Sequence, residues 1–185
     1  PLFYGRPMVL MSPMAFLQRP IRWLRAISQY GVSISGGPNF AYDLCVQKIS
    51  DEEMEGLDLS TWDVAFNGAE PIRSKTVRAF SDRFAPVGFR ERAFFPCYGM
   101  AETTLIVTGG PKNQDPICRG FLGTQLDARK VVPANGETKN VRELIGCGRN
   151  LPDGDIQIVD PDTHEALPPE EIGEIWVNSP SVATG

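Results

Sequence analysis

The residues best equipped for chemistry lie between Phe94 and Thr104, where a short apolar run stops at a Tyr-Gly step and is followed at once by a carboxylate and two hydroxyls. Tyr98 carries a ring that can lie flat against a purine. Gly99 leaves its backbone open to close approach, and Glu102 can reach a metal ion or a nucleotide hydroxyl. The same residues also fit a plain core strand followed by an N-capped helix, so their neighbours have to decide. Two other stretches repeat the arrangement of an apolar run ending in a glycine-bearing turn. They are Ser35-Gly36-Gly37-Pro38-Asn39-Phe40 and Asn67-Gly68-Ala69-Glu70-Pro71.

Alternating strands and helices must position these turns. Met8-Val9-Leu10-Met11 reads as a short buried strand between Pro7 and Ser12-Pro13. Pro20 opens a helix in which Ile21, Leu24 and Ile27 recur at helical spacing up to Gly31. Val32-Ser33-Ile34-Ser35 suits a second strand, and Asn39 is placed to cap a helix running through Phe40, Leu44 and Ile49. The acidic run Asp51 to Glu55 reads as a solvated helix end. Val64-Ala65-Phe66-Asn67 is a third strand, and Val77, Phe80 and Phe84 give the next helix its apolar stripe. A strand-loop-helix unit repeating about every thirty residues predicts an α/β fold, a parallel sheet with covering helices. In a right-handed arrangement the turns at Gly36, Gly68 and Gly99 then fall on one sheet edge, where open α/β folds bind ligands.

After Gly109-Gly110-Pro111 the texture changes. Residues 112–145 form a mixed polar segment in which Lys130-Val131-Val132 suits a strand. Residues 146–185 read as a β-rich subdomain built on a hairpin of Asp155–Asp160 and Gly173–Asn178. The expected organisation is therefore 1–111, 112–145 and 146–185. With no initiator Met and a final stretch of loop character from Ser179 to Gly185, the chain reads as an excised interior piece.

Bulk properties narrow the function classes. The 185 residues are 42% hydrophobic and 22% charged, with a formal net charge of −5 and no basic block, so nucleic acid and acidic membranes are not expected partners. No run is long enough to span a bilayer and no signal peptide is present, which predicts a cytoplasmic protein. Cys45, Cys97, Cys118 and Cys147 include no Cys-x-x-Cys pair and read as reduced, mostly buried thiols. Asp153, Asp155, Asp160 and Asp162 lack the ligand spacing of a calcium loop. His164, the single histidine, lies in a hairpin turn and offers no catalytic partner.

Taken together, these motifs resemble the adenylate-forming superfamily of acyl- and aryl-CoA synthetases, luciferases and peptide-synthetase adenylation domains, and within it the fatty acyl-AMP ligases. Tyr98-Gly99-Met100-Ala101-Glu102 is similar to the Tyr-Gly-x-x-Glu motif, Asn67 to Pro71 to the adenine-side loop, and Gly173-Glu174-Ile175-Trp176-Val177 to the strand preceding the Gly-Tyr and Thr-Gly-Asp motifs. Leu10 to Pro20, Ser35 to Tyr42 and a polar stretch at 119–144 in the place of a subfamily insertion point to the ligases.

The resemblance implies the interior of an adenylate-forming N-terminal domain. The activity it implies is formation of an acyl adenylate from ATP and a long-chain fatty acid with Mg2+, followed by transfer to an acyl carrier protein of a polyketide or peptide synthase. It assigns Asn67, Gly68, Ala69, Glu70, Pro71, Tyr98, Gly99, Met100 and Ala101 to the nucleotide. Ser35, Gly36, Gly37, Asn39 and Phe40 go to the substrate, and Glu102 to the metal. Many relatives carry Thr where Ala101 stands, so Thr103 or Thr104 is expected to take over the phosphate contact. The phosphate loop, the ribose-binding Asp and the lysine-bearing C-terminal domain of such enzymes are absent, and this piece alone is expected not to turn over. A coenzyme-A-forming acyl synthetase and a non-catalytic segment that binds a carrier protein are the alternatives.

Overall fold

A computed structural model of the protein describes residues 2–136 and 139–183. In chain order its main elements are α1 (Pro13–Gln18), α2 (Ile21–Tyr30), β1 (Ile34–Gly36), α3 (Asn39–Lys48), α4 (Asp51–Met54), β2 (Val64–Asn67), α5 (Ser74–Phe84) and β3 (Phe94–Gly99). They are followed by β4 (Ile106–Gly109), β5 (Cys118–Leu122), α6 (Gly123–Asp127), β6 (Val141–Ile145), β7 (Arg149–Asn150), β8 (Asp155–Val159) and β9 (Glu174–Asn178). Short 3-10 turns flank β3 on both sides, at Glu91–Ala93 and Ala101–Thr103.

The main sheet has the order β1-β2-β3-β4-β7. β1, β2 and β3 are parallel, with Ser35 opposite Ala65 and Asn67 opposite Pro96, so their carboxyl ends share one edge as the repeat predicts. Beyond β3 the sheet turns antiparallel. Cys97 pairs with Gly109 and Tyr98 with Thr108, but Gly99 pairs with Ile106, so Val107 is an extra residue on β4 and the ladder carries a bulge beside Tyr98.

Alternation along the strands explains the core. Ala65 and Asn67 of β2 and Phe94 and Pro96 of β3 are buried on one face, whereas Phe66, Phe95 and Cys97 on the other face keep some exposure. Against the buried face pack Ile21, Leu24 and Ile27 of α2, Tyr42 and Cys45 of α3, and Val77, Phe80 and Phe84 of α5. Trp62, Phe80, Phe89 and Phe94 stack edge to face, with Phe80 4.9 Å from Phe89 and Trp62 5.2 Å from Phe89. The Tyr and Trp side chains of this layer find acceptors. Tyr42 donates to the Phe66 carbonyl at 2.8 Å, Trp23 to Ser35 Oγ at 2.9 Å, and Trp62 to the Val64 carbonyl at 3.1 Å. Burial pushes the Tyr42 phenol well above its ordinary range, which keeps it a donor.

Helix α2 ends at Gly31 in the left-handed conformation, as the sequence predicts, and α4 has a reciprocal capping box between Ser50 and Glu53. Three expectations are corrected. Met8 to Met11 forms no strand: the run is open to solvent, with Leu10 81% exposed, because it pairs with no neighbour among the described residues. Asn39 is not a cap; Pro38 holds that position and Asn39 begins α3. Lys130 to Val132 is not a strand, although Lys130 makes an isolated bridge to Glu171.

In the polar segment the regular structure is instead the antiparallel pair β5 and β6, joined through α6 and the stretch beyond it. The pair rests on α5 through Glu143 of β6, which accepts from Ser74 Oγ at 2.7 Å and from Arg78 at 3.1 and 3.2 Å. The hairpin of β8 and β9 forms as predicted, with Gln157 opposite Trp176.

Candidate nucleotide- and acyl-binding edge

The three predicted turns meet at the carboxyl edge of β1, β2 and β3, and each is tied to its neighbour. Gly37 donates its backbone N–H to the Phe66 carbonyl at 3.0 Å, fastening the first turn to the second strand. Cys97 Sγ donates to the Asn67 carbonyl at 3.5 Å, fastening the second to the third. Burial, with Cys147 nearby, raises the Cys97 thiol above its usual range, so it stays a neutral S–H donor.

Packing within the chain already requires most of the glycines. A side chain at Gly36 would run into the Phe66 carbonyl and ring, and one at Gly99 into the Leu105 carbonyl. At Gly68 it would stand 2.9 Å from the Cys97 carbonyl oxygen. These residues are glycine because strands and turns of the same chain approach one another; room for a ligand is not needed to explain them. Gly37 is looser, with Ala41 Cβ 3.3 Å from the position a Cβ would take. Ala69, by contrast, holds φ at 66°, a left-handed conformation that costs a non-glycine residue about 1 kcal/mol and concentrates at functional turns.

Around the rim, Ser35 is half-buried with its hydroxyl occupied by Trp23, while Phe40 is 54% exposed and presents an apolar face. Glu70 and Pro71 stand at the surface, and Glu70 lies 3.9 Å from Arg73. Tyr98 and Met100 are half-buried. Ala101 and Glu102 are exposed, and no described residue hydrogen bonds to the Glu102 carboxylate. Thr103 and Thr104 separate. Thr103 is buried, and its hydroxyl closes the local turn on the Met100 carbonyl at 3.0 Å. Thr104 is exposed at φ 69°, and its hydroxyl donates to the Ser181 carbonyl at 3.1 Å. The Ala183 N–H donates to the Glu102 carbonyl at 2.8 Å, so the segment after β9 lies against this motif.

Asn39 is the residue whose position sequence reasoning misjudged, and Asn67, at the end of its predicted strand, is its partner. Both are completely buried. Asn39 reaches under the second turn, donating to the Pro71 carbonyl at 2.9 Å and accepting from the Arg73 N–H at 3.1 Å and from Asn67 Nδ2 at 3.4 Å. The signal was available: Asn67 follows Ala65 by two positions, on the buried face of β2, and a buried amide there requires a partner.

All 185 residues match the family described as AMP-binding enzyme. The chain belongs to that family. Among characterised relatives, this AMP-binding family member is 39% identical over 183 residues to the medium-chain-fatty-acid–[acyl-carrier-protein] ligase TtuA of Teredinibacter turnerae, a match covering 99% of this chain and 28% of that protein. It is 40% identical over 185 residues to the long-chain-fatty-acid–AMP ligase FadD26 of Mycobacterium bovis, covering 100% of this chain and 32% of that one. Its fold matches the crystal structure of a Legionella pneumophila fatty acyl-adenylate ligase in complex with acyl adenylate and pyrophosphate, with a TM-score of 0.90 and 45% identity over 95% of this chain and 30% of that one. The chain thus spans about three tenths of the length of these relatives.

The edge is open. A cavity of about 310 Å3 lies beside the third turn, between β4, β7 and the β8–β9 hairpin; Ile106, Leu151, Ile156 and Val177 line it together with Ser181, whose carbonyl accepts from Thr104. Among the described residues no group of three His, Cys, Asp or Glu side chains could hold a metal ion. A single free carboxylate such as Glu102 does fit Mg2+, which keeps most of its water and is typically held by one or two carboxylates and the phosphates of its nucleotide. No described helix is long and apolar enough to cross a membrane.

Proposed function

We propose that the protein of which these residues form part activates a fatty acid as its acyl adenylate. In that reaction a carboxylate oxygen attacks the α-phosphorus of ATP, the bond to the bridging oxygen breaks, and pyrophosphate leaves. The acyl group then passes to the thiol of an acyl carrier protein with release of AMP. The observation that carries this reading is the convergence of Ser35 to Phe40, Asn67 to Pro71 and Tyr98 to Glu102 on one edge of three parallel strands, in a chain that belongs to the AMP-binding enzyme family.

Each group has a task that its surroundings support. Half-buried Tyr98 gives adenine a stacking face, worth about 1–3 kcal/mol for an aromatic against a base. The backbone of Gly68 to Pro71, held rigid from beneath, borders the ring. Phe40 supplies an apolar wall for the acyl chain close to its carboxylate. Two anions must be brought together, so most of the rate comes from orientation and charge neutralisation. Mg2+ arriving with ATP would supply that neutralisation, and Glu102 is the residue here that would hold it. Of the two hydroxyls, Thr104 is the one at the surface beside Glu102.

The test is fatty-acid-dependent exchange of labelled pyrophosphate into ATP by the full-length protein. Exchange is expected with medium- or long-chain acids, and Glu102→Ala should reduce it by about a hundredfold, the scale seen when a group stabilising developing charge is removed. Exchange that is absent for every fatty acid, or intact in Glu102→Ala, would overturn the assignment.

A further inference from the structure

We propose that Asn39 is a positioning residue that holds the nucleotide-facing turn in place from inside the fold, making the acyl-side and nucleotide-side turns one mechanical unit. This rests on the reading of Gly68 to Pro71 as nucleotide-facing and extends it to a residue that touches neither substrate.

The stretch 68–73 connects the end of β2 to the start of α5 without a ladder of its own. Apart from the first helical hydrogen bond of α5, from the Val77 N–H to the Arg73 carbonyl, its described backbone hydrogen bonds to the rest of the chain both go to Asn39. One amide side chain donates to the Pro71 carbonyl and accepts from the Arg73 N–H, bracketing the end of the turn. It also accepts from Asn67 Nδ2 where the turn begins. The planar amide of Asn offers a donor and an acceptor at fixed spacing, and Gln is one methylene too long for a site with no exposed surface.

The turn needs such a hold. It contains Ala69 in a left-handed conformation, and Arg73, which precedes α5, makes no side-chain cap. Because Asn39 opens α3 directly after Gly36-Gly37-Pro38, its backbone is fixed by the acyl-side turn while its side chain fixes the nucleotide-side turn.

In the full-length ligase, Asn39→Ala should speed hydrogen exchange of the Arg73 amide at least about tenfold and raise KM for ATP by about the same factor, the equivalent of one lost hydrogen bond, with kcat much less affected. Should that variant fail to fold, Asn39→Thr keeps a polar group at the start of the helix but cannot bracket both Pro71 and Arg73, and it should give the same pattern. Unchanged exchange in a folded variant overturns the clamp. Faster exchange with KM and kcat both unchanged overturns its positioning role. If ATP does not slow exchange of 68–73 in the unmodified enzyme, the nucleotide-facing reading itself fails, a result distinct from either of the others.

Discussion

Glu143, on β6 and 69 residues further along the chain, accepts the hydroxyl of Ser74 at 2.7 Å, and Ser74 is the first residue of the helix that follows the turn at Gly68 to Pro71. The Ser74 hydroxyl first, and the Arg78 guanidinium after it, hold the Glu143 carboxyl below the ordinary carboxylate range. A group whose folded pKa is lowered stabilises the fold above its unfolded value, about 4.3 for Glu, and loses that contribution as pH falls through the folded value. Protection of the Val141–Ile145 amides, with the intrinsic pH dependence of exchange divided out, should therefore be constant from neutrality to mildly acid solution and fall only below the usual carboxylate range. In Glu143→Gln it should be lowered already at neutral pH, with the two proteins converging in acid.

The glycines of the edge separate into required and tolerant positions. Gly99→Ala places a methyl group inside the Leu105 carbonyl, where backbone must move, and should cost more than about 2 kcal/mol of stability by chemical denaturation. Gly37→Ala meets only Ala41 Cβ at 3.3 Å and should stay within about 1 kcal/mol of the parent. Equal losses at the two positions would contradict this account of why glycine is present.

If Tyr98 stacks on adenine as proposed, it contributes a ring face, not its hydroxyl. Tyr98→Phe should leave the affinity for ATP within about twofold, while Tyr98→Ala should weaken it by the 1–3 kcal/mol of a lost stack, roughly five- to 150-fold. Isothermal titration with the full-length protein distinguishes the two variants directly.

Removing residues 119–144 takes away Glu143 and the backbone bonds of Val131 and Arg129 to the loop between β8 and β9. If this segment restrains the enzyme to carrier-protein transfer, its deletion should raise the yield of acyl-coenzyme A while leaving pyrophosphate exchange measurable. The fatty acyl thioester formed per turnover checks it.

Much of the parallel half was legible in the sequence because periodicity and punctuation agree there. Ile21, Leu24 and Ile27 lie between Pro20 and Gly31, Val64 to Asn67 end at Gly68, and Val77, Phe80 and Phe84 define the buried side of α5. The convergence of three turns followed from the parallel repeat alone. Met8 to Met11 misled because an apolar run specifies burial only when something covers it, and pairing partners are not written locally. β5 and β6 have mixed composition, and their pairing of Cys118 with Ile145 and Leu122 with Val141 spans a long connection. At the site, Asn39 has a strong local preference for capping, and a tertiary contact with residues 28 to 34 positions away overrides it. Thr103 and Thr104 are adjacent in sequence, yet one points in and the other out.

Val107, the residue left over where β4 meets β3, makes this stretch sensitive to chain length. Gly99 and Tyr98 are matched to partners two residues apart, so losing one residue between Gly99 and Thr108 would restore an unbroken ladder and redraw the turn that presents Glu102. The buried Val107, whose carbonyl accepts from the Leu151 N–H at 3.2 Å, would lose its place as well. Residues 110–117, between β4 and β5, belong to no strand. Insertions and deletions among related proteins should accumulate there and avoid 99–108. In that short interval the tally of residues matters as much as their chemistry.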